Sequence, residues 1–452
     1  MMDISQKNMI DLTGRKVAVI GGARSGLAAA MLLKEVGASP FVSEASNTFD
    51  IDRLDEMDIA YETGGHSEKV IESDLMMVSP GVPQDSDVVK QATAHAIPVV
   101  SEIELASWFT SNSIAAVTGS NGKTTTTSML AEMCRNCGMT TFESGNIGTP
   151  FSTVVLENLG REMEDAVHVL EVSSFQMEQI HHFKPTVAVI LNLSPDHLDR
   201  YGTMDAYVDA KLRIVENMTE GDHVVYNSAD SLLRRRLKTG GTLVPFALNA
   251  TDNLLFSLNE TKIYDRSEKP FVYLSEISLP GRHNISNFLA AATAARLLKV
   301  DEEAIKNVMK TFSGVPHRLE KVRTLDNVTF YNDSKATNIE SVKVAVESFK
   351  SPVTLILGGR DKGADFKELT PTLADGVKLV ITLGEAAERI EKTLPKNPPF
   401  LRADSMASAV SLAYKKSIAG DVVLLSPGCT SFDMFDDFEN RGDIFREEVM
   451  NL

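Results

Sequence analysis

Ala115–Thr125 reads Ala-Ala-Val-Thr-Gly-Ser-Asn-Gly-Lys-Thr-Thr, a lysine and two hydroxyls set directly behind a glycine-rich turn. The apolar run Ile114–Val117 predicts a buried strand, and the residues from Lys123 to about Cys134 predict a helix. That order aims several backbone N–H groups and a helix start at one point, where a polyphosphate is held. Gly119, Ser120, Asn121 and Gly122 would form the cradle. Lys123 would neutralise β/γ charge, and Thr124, with Thr125 behind it, would bring a hydroxyl to Mg²⁺. Val117 occupies the place of the first glycine in the longest form of this pattern, so the match is to the shorter Thr-Gly-x-Asn-Gly-Lys-Thr. The chemistry implied is ATP binding.

Three further groups could join that chemistry. Glu171 closes the apolar strand Ala166–Val172, where a carboxylate can hold Mg²⁺ beside a phosphate loop or simply cap a following helix. The segment Asn192-Leu-Ser-Pro-Asp196-His197-Leu-Asp199-Arg200-Tyr201 follows the next apolar strand, Thr186–Leu193. Pro195 forbids strand continuation and pushes Asp196, His197 and Asp199 into a strand-end loop, where ligands bind. A neutral His197 could ligate a second Mg²⁺ or fix a substrate carboxylate; the ordinary alternative is a structural histidine. Lys211, on the expected helix Asp205–Met218, reads as a solvated lysine. If buried it becomes an amine able to lose its proton, capture CO₂ and ligate a cation as the carbamate. His181 and His182 read as a surface pair.

The opening strand and helix enclose Gly21-Gly22-Ala23-Arg24-Ser25-Gly26, with Glu44 at the end of the next strand. Ala23 stands at the middle glycine of a dinucleotide fingerprint, where backbone must approach a pyrophosphate. The segment fits NAD poorly and a more loosely held nucleotide diphosphate better, with Ser79-Pro80-Gly81 completing the cradle. A tight turn without a ligand is the third possibility. Downstream, Tyr331–Asn338, Gly358–Gly363 and Ser426–Ser431 each place a polar turn after a strand. Polar strand ends gathered in one sheet point to another anion-recognising site.

These residues need sheets to hold them. Strands near Lys16–Gly21, Phe41–Ser43, Leu75–Val78 and Ile97–Val100 alternate with helices such as Ser25–Val36, which predicts a parallel, helix-covered sheet. The central region predicts a second α/β unit whose later part, Thr242–Glu276, reads as an antiparallel edge sheet before the Ala-rich helix Ile285–Leu298. Strands near Thr329–Tyr331, Val353–Leu357, Leu379–Leu383 and Val422–Ser426 predict a third block. With 452 residues at ~150 per domain, the expected class is α/β in three domains, each on a largely parallel sheet. They are a Rossmann-like 1–110, a P-loop-type 111–314 and a Rossmann-like 315–452. A net charge of −17, from 45 basic and 62 acidic residues, argues against a nucleic-acid surface. No apolar run approaches the ~18 residues of a membrane span, and three cysteines make no disulfide framework. A cytoplasmic monomer without membrane insertion is the expectation. Cys134 and Cys137 read as helix packing, and Arg234–Arg236 as a solvated helix face.

Together these segments resemble the Mur ligase family, ATP-dependent amide-bond-forming enzymes that build the peptidoglycan stem peptide. The likeness runs almost end to end. It passes through Thr118–Thr125, Gly145-Asn-Ile-Gly148, Glu171-Val-Ser-Ser-Phe-Gln176 and Asp196–Tyr201, then through Gly281–Asn287, His317-Arg318, Asn332–Asn338 and Gly358–Gly363. The opening Val-Ile-Gly-Gly-Ala-Arg-Ser-Gly-Leu-Ala and the closing Ser426–Gly442 point to the D-glutamate-adding branch, and the Asp-Asn-Pro-Arg motif of the diaminopimelate-adding branch is absent.

The resemblance implies one domain for a uridine nucleotide, one for ATP, and one that closes over both and holds the incoming amino acid. The implied substrates are ATP, UDP-N-acetylmuramoyl-L-alanine and D-glutamate, joined through an acyl phosphate. Carried over by position, Lys123 and Lys335 would hold the γ-phosphate, and Thr124 and Glu171 the first Mg²⁺. His197 and carbamylated Lys211 would hold a second Mg²⁺. Ala23, Arg24, Ser25, Glu44, Ser79 and Gly81 would bind the UDP substrate, with Asn146 orienting its muramoyl-alanine end. Asn287, Arg318 and Asp333 would contact adenine and ribose, and Thr337, Lys362, Ser431 and Phe438 would place D-glutamate. Three rivals stand beside this reading: an amide ligase for another amino acid or a folate acceptor, a nucleotide-binding regulator lacking the Glu171–His197–Lys211 cluster, and a dehydrogenase.

Overall fold

The computed structural model describes the chain except residues 1–3, 5–9, 47–50, 147, 162, 250–252, 267–268, 280 and 362–363, with backbone alone at 198, 199 and 340. The chain divides into two compact units, Met1–Phe312 and Ser313–Leu452.

The first unit opens with β1 to β5, at Lys16–Ile20, Ser39–Glu44, Ala60–Thr63, Leu75–Val78 and Val99–Ser101. They form one parallel sheet in the order β3-β2-β1-β4-β5. Val17–Ile20 and Leu75–Val78 are apolar throughout and buried, as strands covered by helices on both faces must be. The order reverses between β1 and β4, so their carboxyl ends lie side by side at a switch point, where a crevice opens. Ser79 N donates to Ile20 O there at 2.9 Å.

A second parallel sheet follows, built from β6 (Ser113–Thr118), β7 (Thr140–Gly145), β8 (Ala166–Glu171), β9 (Val187–Ile190), β10 (His223–Asn227) and β11 (Thr242–Phe246). Its order is β11-β10-β9-β6-β8-β7. The switch point falls at β6, whose neighbours β8 and β9 bring Glu171 and the loop from Leu191 to the same edge. Helices Lys123–Asn136 and Arg282–Leu297 pack on each other and on this sheet. Phe151, Phe183 and Val208 join Leu170, Ala188 and Ile190 in one buried cluster. Fully burying each such side chain is worth about 1.5–3 kcal/mol.

The expected edge sheet over Thr242–Glu276 divides differently. β11 pairs in parallel with β10, because that register sends Val244 and Phe246 into the core. Only β12 (Phe256–Leu258), β13 (Lys262–Asp265) and β14 (Pro270–Tyr273) form an antiparallel sheet, and it stands apart from the parallel one. Arg234–Arg236 also departs from a plain solvated face: Arg236 bridges Asp205 and Asp209 at 2.5 Å each.

The second unit carries β15 (Glu320–Leu325), β16 (Val328–Asn332), β17 (Val353–Gly358), β18 (Val377–Leu383), β19 (Phe400–Arg402) and β20 (Val422–Leu425). They are ordered β15-β16-β20-β17-β18-β19, with β15 antiparallel. β20 slots between β16 and β17, so the three polar turns expected to cooperate leave adjacent strands. Among the described residues no helix is long and apolar enough to cross a membrane.

Candidate active site

At the end of β6 the chain turns through Gly119, with φ 155°, and Gly122, with φ 85°, into the helix starting at Lys123. Side chains are excluded at both. A Cβ on Gly119 would lie 2.9 Å from Leu191 Cβ, and one on Gly122 would lie 2.5 Å from Asn287 Oδ1. The loop is laced to the chain leaving β9. Asn121 N donates to Asn192 Oδ1 at 2.8 Å, and Asn192 Nδ2 returns a bond to Asn121 O at 3.0 Å. Ser120 Oγ donates to Ser194 O at 2.9 Å. Lys123 Nζ reaches back over the turn to Gly119 O and Ser120 O, each at 3.0 Å, and Thr124 and Thr125 are buried in the first helical turn. A helix N-terminus with a lysine across it is a ready anion site.

Three of the other expected groups converge beside this loop. Glu171 ends β8 and is 2% exposed; Asn146 Nδ2 donates to its Oε1 at 3.0 Å, while Oε2 is buried with no hydrogen-bond partner. Lys211, also 2% exposed, lies with Nζ 4.9 Å from the Tyr207 ring centre. Burial pushes its amine down to about 7, helped by the positive charge of Lys123 and opposed by Asp196 and Glu171. Those four charges therefore share one electrostatic neighbourhood. His197 sits beyond the Pro195 turn in the left-handed region, φ 52°, half-exposed, with its ring on Phe175 at 4.7 Å and Nε2 3.5 Å from Asp196 Oδ2. The Asp199 side chain lies outside the described residues.

The switch point of the first sheet opens into a cleft of about 690 Å³. Ala23, Arg24, Ser25, Glu44, Ser79 and Gly81 all line it, as expected, and His66 joins them. Asn146, expected at the muramoyl-alanine end of the substrate, bonds Glu171 beside the phosphate loop. The Glu44 carboxylate accepts Gly22 N at 2.8 Å and Ser46 N at 2.9 Å, so it shapes the turn as well as facing the cleft. Ser79 Oγ donates to Gly21 O at 2.8 Å, and a Cβ on Gly26 would run into that same carbonyl. The close helix–strand approach that the fingerprint's third glycine permits is present at Gly26, even though Ala23 replaces the middle glycine.

In the second unit Asp333 follows β16 and is buried; it accepts Ser426 Oγ at 2.9 Å and Leu319 N at 3.2 Å. Burial pushes its carboxyl up to about 7, while the nearby Arg318 charge and those hydrogen bonds pull it down. Lys335 Nζ lies 5.5 Å from the Phe438 ring centre. Ser431 is buried after β20, and Thr337 is half-buried before the helix Ile339–Glu347. Lys362 lies outside the described residues.

Several residues of these sites were not singled out by type or spacing. Arg441 is buried and donates to Ser334 Oγ at 2.9 Å, Ser334 O at 2.7 Å and Cys429 O at 3.1 Å, tying the turns after β16 and β20 together. Asn192 and Tyr207 hold the phosphate loop; Tyr207 OH lies 3.0 Å from Ser120 Oγ. Only their position in quoted segments or near Lys211 could have drawn attention to them. His181 and His182 are more than a surface pair: their backbone N–H groups donate to the buried Glu104 carboxylate at 2.9 and 2.8 Å. Cys134 packs in its helix as expected, with burial pushing its thiol up to about 12.

Comparison with known proteins matches these features. Residues 16–88 match the MurD N-terminal domain, 117–295 the Mur ligase middle domain and 317–429 the Mur ligase, glutamate ligase domain. The UDP-N-acetylmuramoylalanine–D-glutamate ligase of Salinibacter ruber is 44% identical, over 97% of this chain and 98% of that protein. The enzyme of the same name from Acidobacterium capsulatum is 41% identical over 98% and 97%. Among solved structures, UDP-N-acetylmuramate-alanine ligase MurC of Thermotoga maritima superposes with a TM-score of 0.60 at 18% identity, over 97% of this chain and 99% of that one. MurF ligase of Thermotoga maritima, in complex with ADP, gives 0.60 at 19%, over 98% and 100%. The fold, the domain content and this near-full-length identity agree: the chain belongs to the Mur ligase family.

Proposed function

We propose that this protein is an ATP-dependent ligase that adds D-glutamate to UDP-N-acetylmuramoyl-L-alanine, releasing ADP and phosphate, in cytoplasmic peptidoglycan precursor synthesis. The observation that carries this reading is the buried, unpartnered Oε2 of Glu171 beside a phosphate loop, in the field of Lys123 and Lys211. A buried carboxylate oxygen left without a hydrogen-bond donor is unfavourable, and a cation would offset that. The full-length likeness to relatives bearing that ligase name supports the substrate pair.

The substrate carboxylate and the triphosphate are both anions, so their approach needs positive charge. Bound Mg²⁺ would supply part of that charge. Thr124 and Glu171 fit a first ion: Thr124 brings a hydroxyl, and Glu171 a buried Oε2 with no hydrogen-bond partner. His197 and Lys211 are assigned to a second. The buried Lys211, near Asp196 and Glu171, would serve that ion as its carbamate. Its amine is suited to that, because burial leaves much of it neutral near pH 7 and only the neutral amine attacks CO₂. Lys123 spans the phosphate loop; Ser120 N and Asn121 N are held by Asn192, so the helix start from Gly122 to Thr124 would be the part presented to the β/γ-phosphates.

The substrate carboxylate takes the γ-phosphoryl group to give an acyl phosphate, and the D-glutamate amine then displaces phosphate. Asn146, by bonding Glu171 Oε1, keeps Oε2 turned to its task. The cleft at Gly21 and Ser79 would take the uridine diphosphate, with Arg24 available to its charge. Asn287, against Gly122, and Arg318 with Asp333 are assigned to adenine and ribose. Lys335 is assigned to the γ-phosphate, and Thr337, Lys362, Ser431 and Phe438 to D-glutamate. We expect a monomer.

The test measures ADP release with UDP-N-acetylmuramoyl-L-alanine, with and without D-glutamate, and with L-alanine or L-lysine in its place. Dependence on the UDP substrate and on D-glutamate is expected. Independence from either would falsify the assignment.

A further inference from the structure

The helix Leu198–Tyr201 lies directly after His197, and its Arg200 points away from the phosphate loop into the wall of the first-sheet cleft. Arg200 Nη1 donates to Pro80 O at 2.9 Å, and Nη2 donates to Val82 O at 3.1 Å. Pro80 and Val82 both line the cleft. The same guanidinium meets Glu178 Oε2 at 2.5 Å, with side chains only 17% and 6% exposed. Its flat face lies 4.2 Å from the Phe175 ring centre, and that ring also supports His197 at 4.7 Å and Tyr201 at 5.9 Å. Tyr201 OH donates to the other Glu178 oxygen at 2.6 Å, and Tyr201 leans on Tyr207 at 5.6 Å, which reaches Ser120 of the phosphate loop. Glu178 is clamped in turn: Gln84 Nε2 and Arg213 Nη1 both donate to its backbone carbonyl.

We infer that Arg200 is a positioning residue that sets the distance between the uridine-nucleotide cleft and the His197 end of the reacting site. This deepens the ligase reading and rests on it. A long substrate bound by its nucleotide at one end must present its carboxylate at the other, and an error of about 1 Å in that placement can cost about 10²-fold in rate. Guanidinium suits the task because its planar fork can bond two carbonyls and a carboxylate while stacking on an aromatic face. Lysine cannot hold all of these at once. The linkage reaches the phosphate loop through Tyr207 and Ser120 rather than through Lys123 or Thr124, so its effect on ATP binding should be much smaller than on the uridine substrate.

The experiment compares wild type, Arg200→Met and Arg200→Lys with UDP-N-acetylmuramoyl-L-alanine, ATP and D-glutamate. Met keeps an apolar chain of similar length beside Phe175 and removes every donor. In Arg200→Met we expect kcat to fall at least tenfold and the KM for the UDP substrate to rise, with the KM for ATP within twofold of wild type. Arg200→Lys should recover part of kcat. Should Arg200→Met fail to fold, Glu178→Gln, which weakens the anchor but leaves both carbonyl bonds, should show the same pattern at smaller size. A wild-type kcat in the variants would overturn the inference, as would a parallel rise in every KM with a lowered melting temperature. Absence of turnover in the wild type would instead sink the ligase reading itself.

Discussion

Asn146 Nδ2 donates to Glu171 Oε1 at 3.0 Å and leaves Oε2 of the same carboxylate buried with no hydrogen-bond partner. One oxygen is held and the other is aimed. The Asn146 backbone N–H, bonded to Glu171 O at 2.8 Å, fixes the pair at the ends of β7 and β8. Substituting Glu171→Gln keeps an acceptor for Asn146 and removes the charge. ATP-dependent turnover should fall about 10²-fold or more, as when a charge-stabilising group is lost, with the melting temperature unchanged or raised. Turnover within a few-fold of wild type at saturating Mg²⁺ would remove Glu171 from the cation site.

Lys211 offers two separable readouts. Lys211→Ala should lose activity and regain part of it when a short carboxylic acid is added, because the acid can stand in for a carbamate. Full activity of Lys211→Ala would end the carbamate proposal.

The second readout is stability against pH in CO₂-free buffer. Burial lowers the folded amine from its ordinary 10.5 to about 7, so the native state disfavours its proton. That penalty is fully present below about pH 7 and fades as pH rises towards 10.5. Lys211→Met should therefore melt above wild type at pH 6–7, and the gap should close by about pH 10. A gap that stays constant or widens with pH would contradict a buried neutral amine.

Asp333 titrates with the opposite sense. Its carboxyl is raised from 3.8 to about 7 by burial, so it favours the native state least when ionised. The cost is absent below about pH 4 and fully present above about pH 7. Asp333→Asn retains an acceptor for Leu319 N or Ser426 Oγ and should raise the melting temperature at pH 8, with the difference vanishing near pH 4. Equal melting temperatures at pH 8 would show that the carboxyl is not penalised there.

Gly122→Ala tests the phosphate loop's shape. The backbone is left-handed at φ 85°, and the new Cβ would meet Asn287 Oδ1 at 2.5 Å. Strain of about 1–3 kcal/mol is expected from the conformation alone. Nucleotide affinity, read by titration with ADP, should drop at least tenfold. Adding Asn287→Ala should relieve the clash without restoring wild-type affinity, since the φ requirement remains.

Much of the site was legible because contiguous residues build it. The loop Gly119–Gly122, the helix start at Lys123 and the strand-ending Glu171 need only a local strand–turn–helix, which apolar runs and glycines specify on their own. The cleft residues on either side of Gly21 and Ser79 were readable for the same reason, each lying just past a short buried strand. Strands such as β15, with no fully buried residue, and the three-residue β19 carry too little periodicity to announce themselves.

What chain order could not decide was who is buried beside whom. Lys211 reads as an ordinary helix lysine until Tyr207, Lys123 and Glu171 close around it and strip its water, and that enclosure alone moves its proton. Asn146 found Glu171, Arg236 found two aspartates, and Arg200 found carbonyls 120 and 118 residues away. Residue types along the chain determined which chemistry was on offer. Packing of distant segments decided which charges lose solvent, because desolvation depends on neighbours in space.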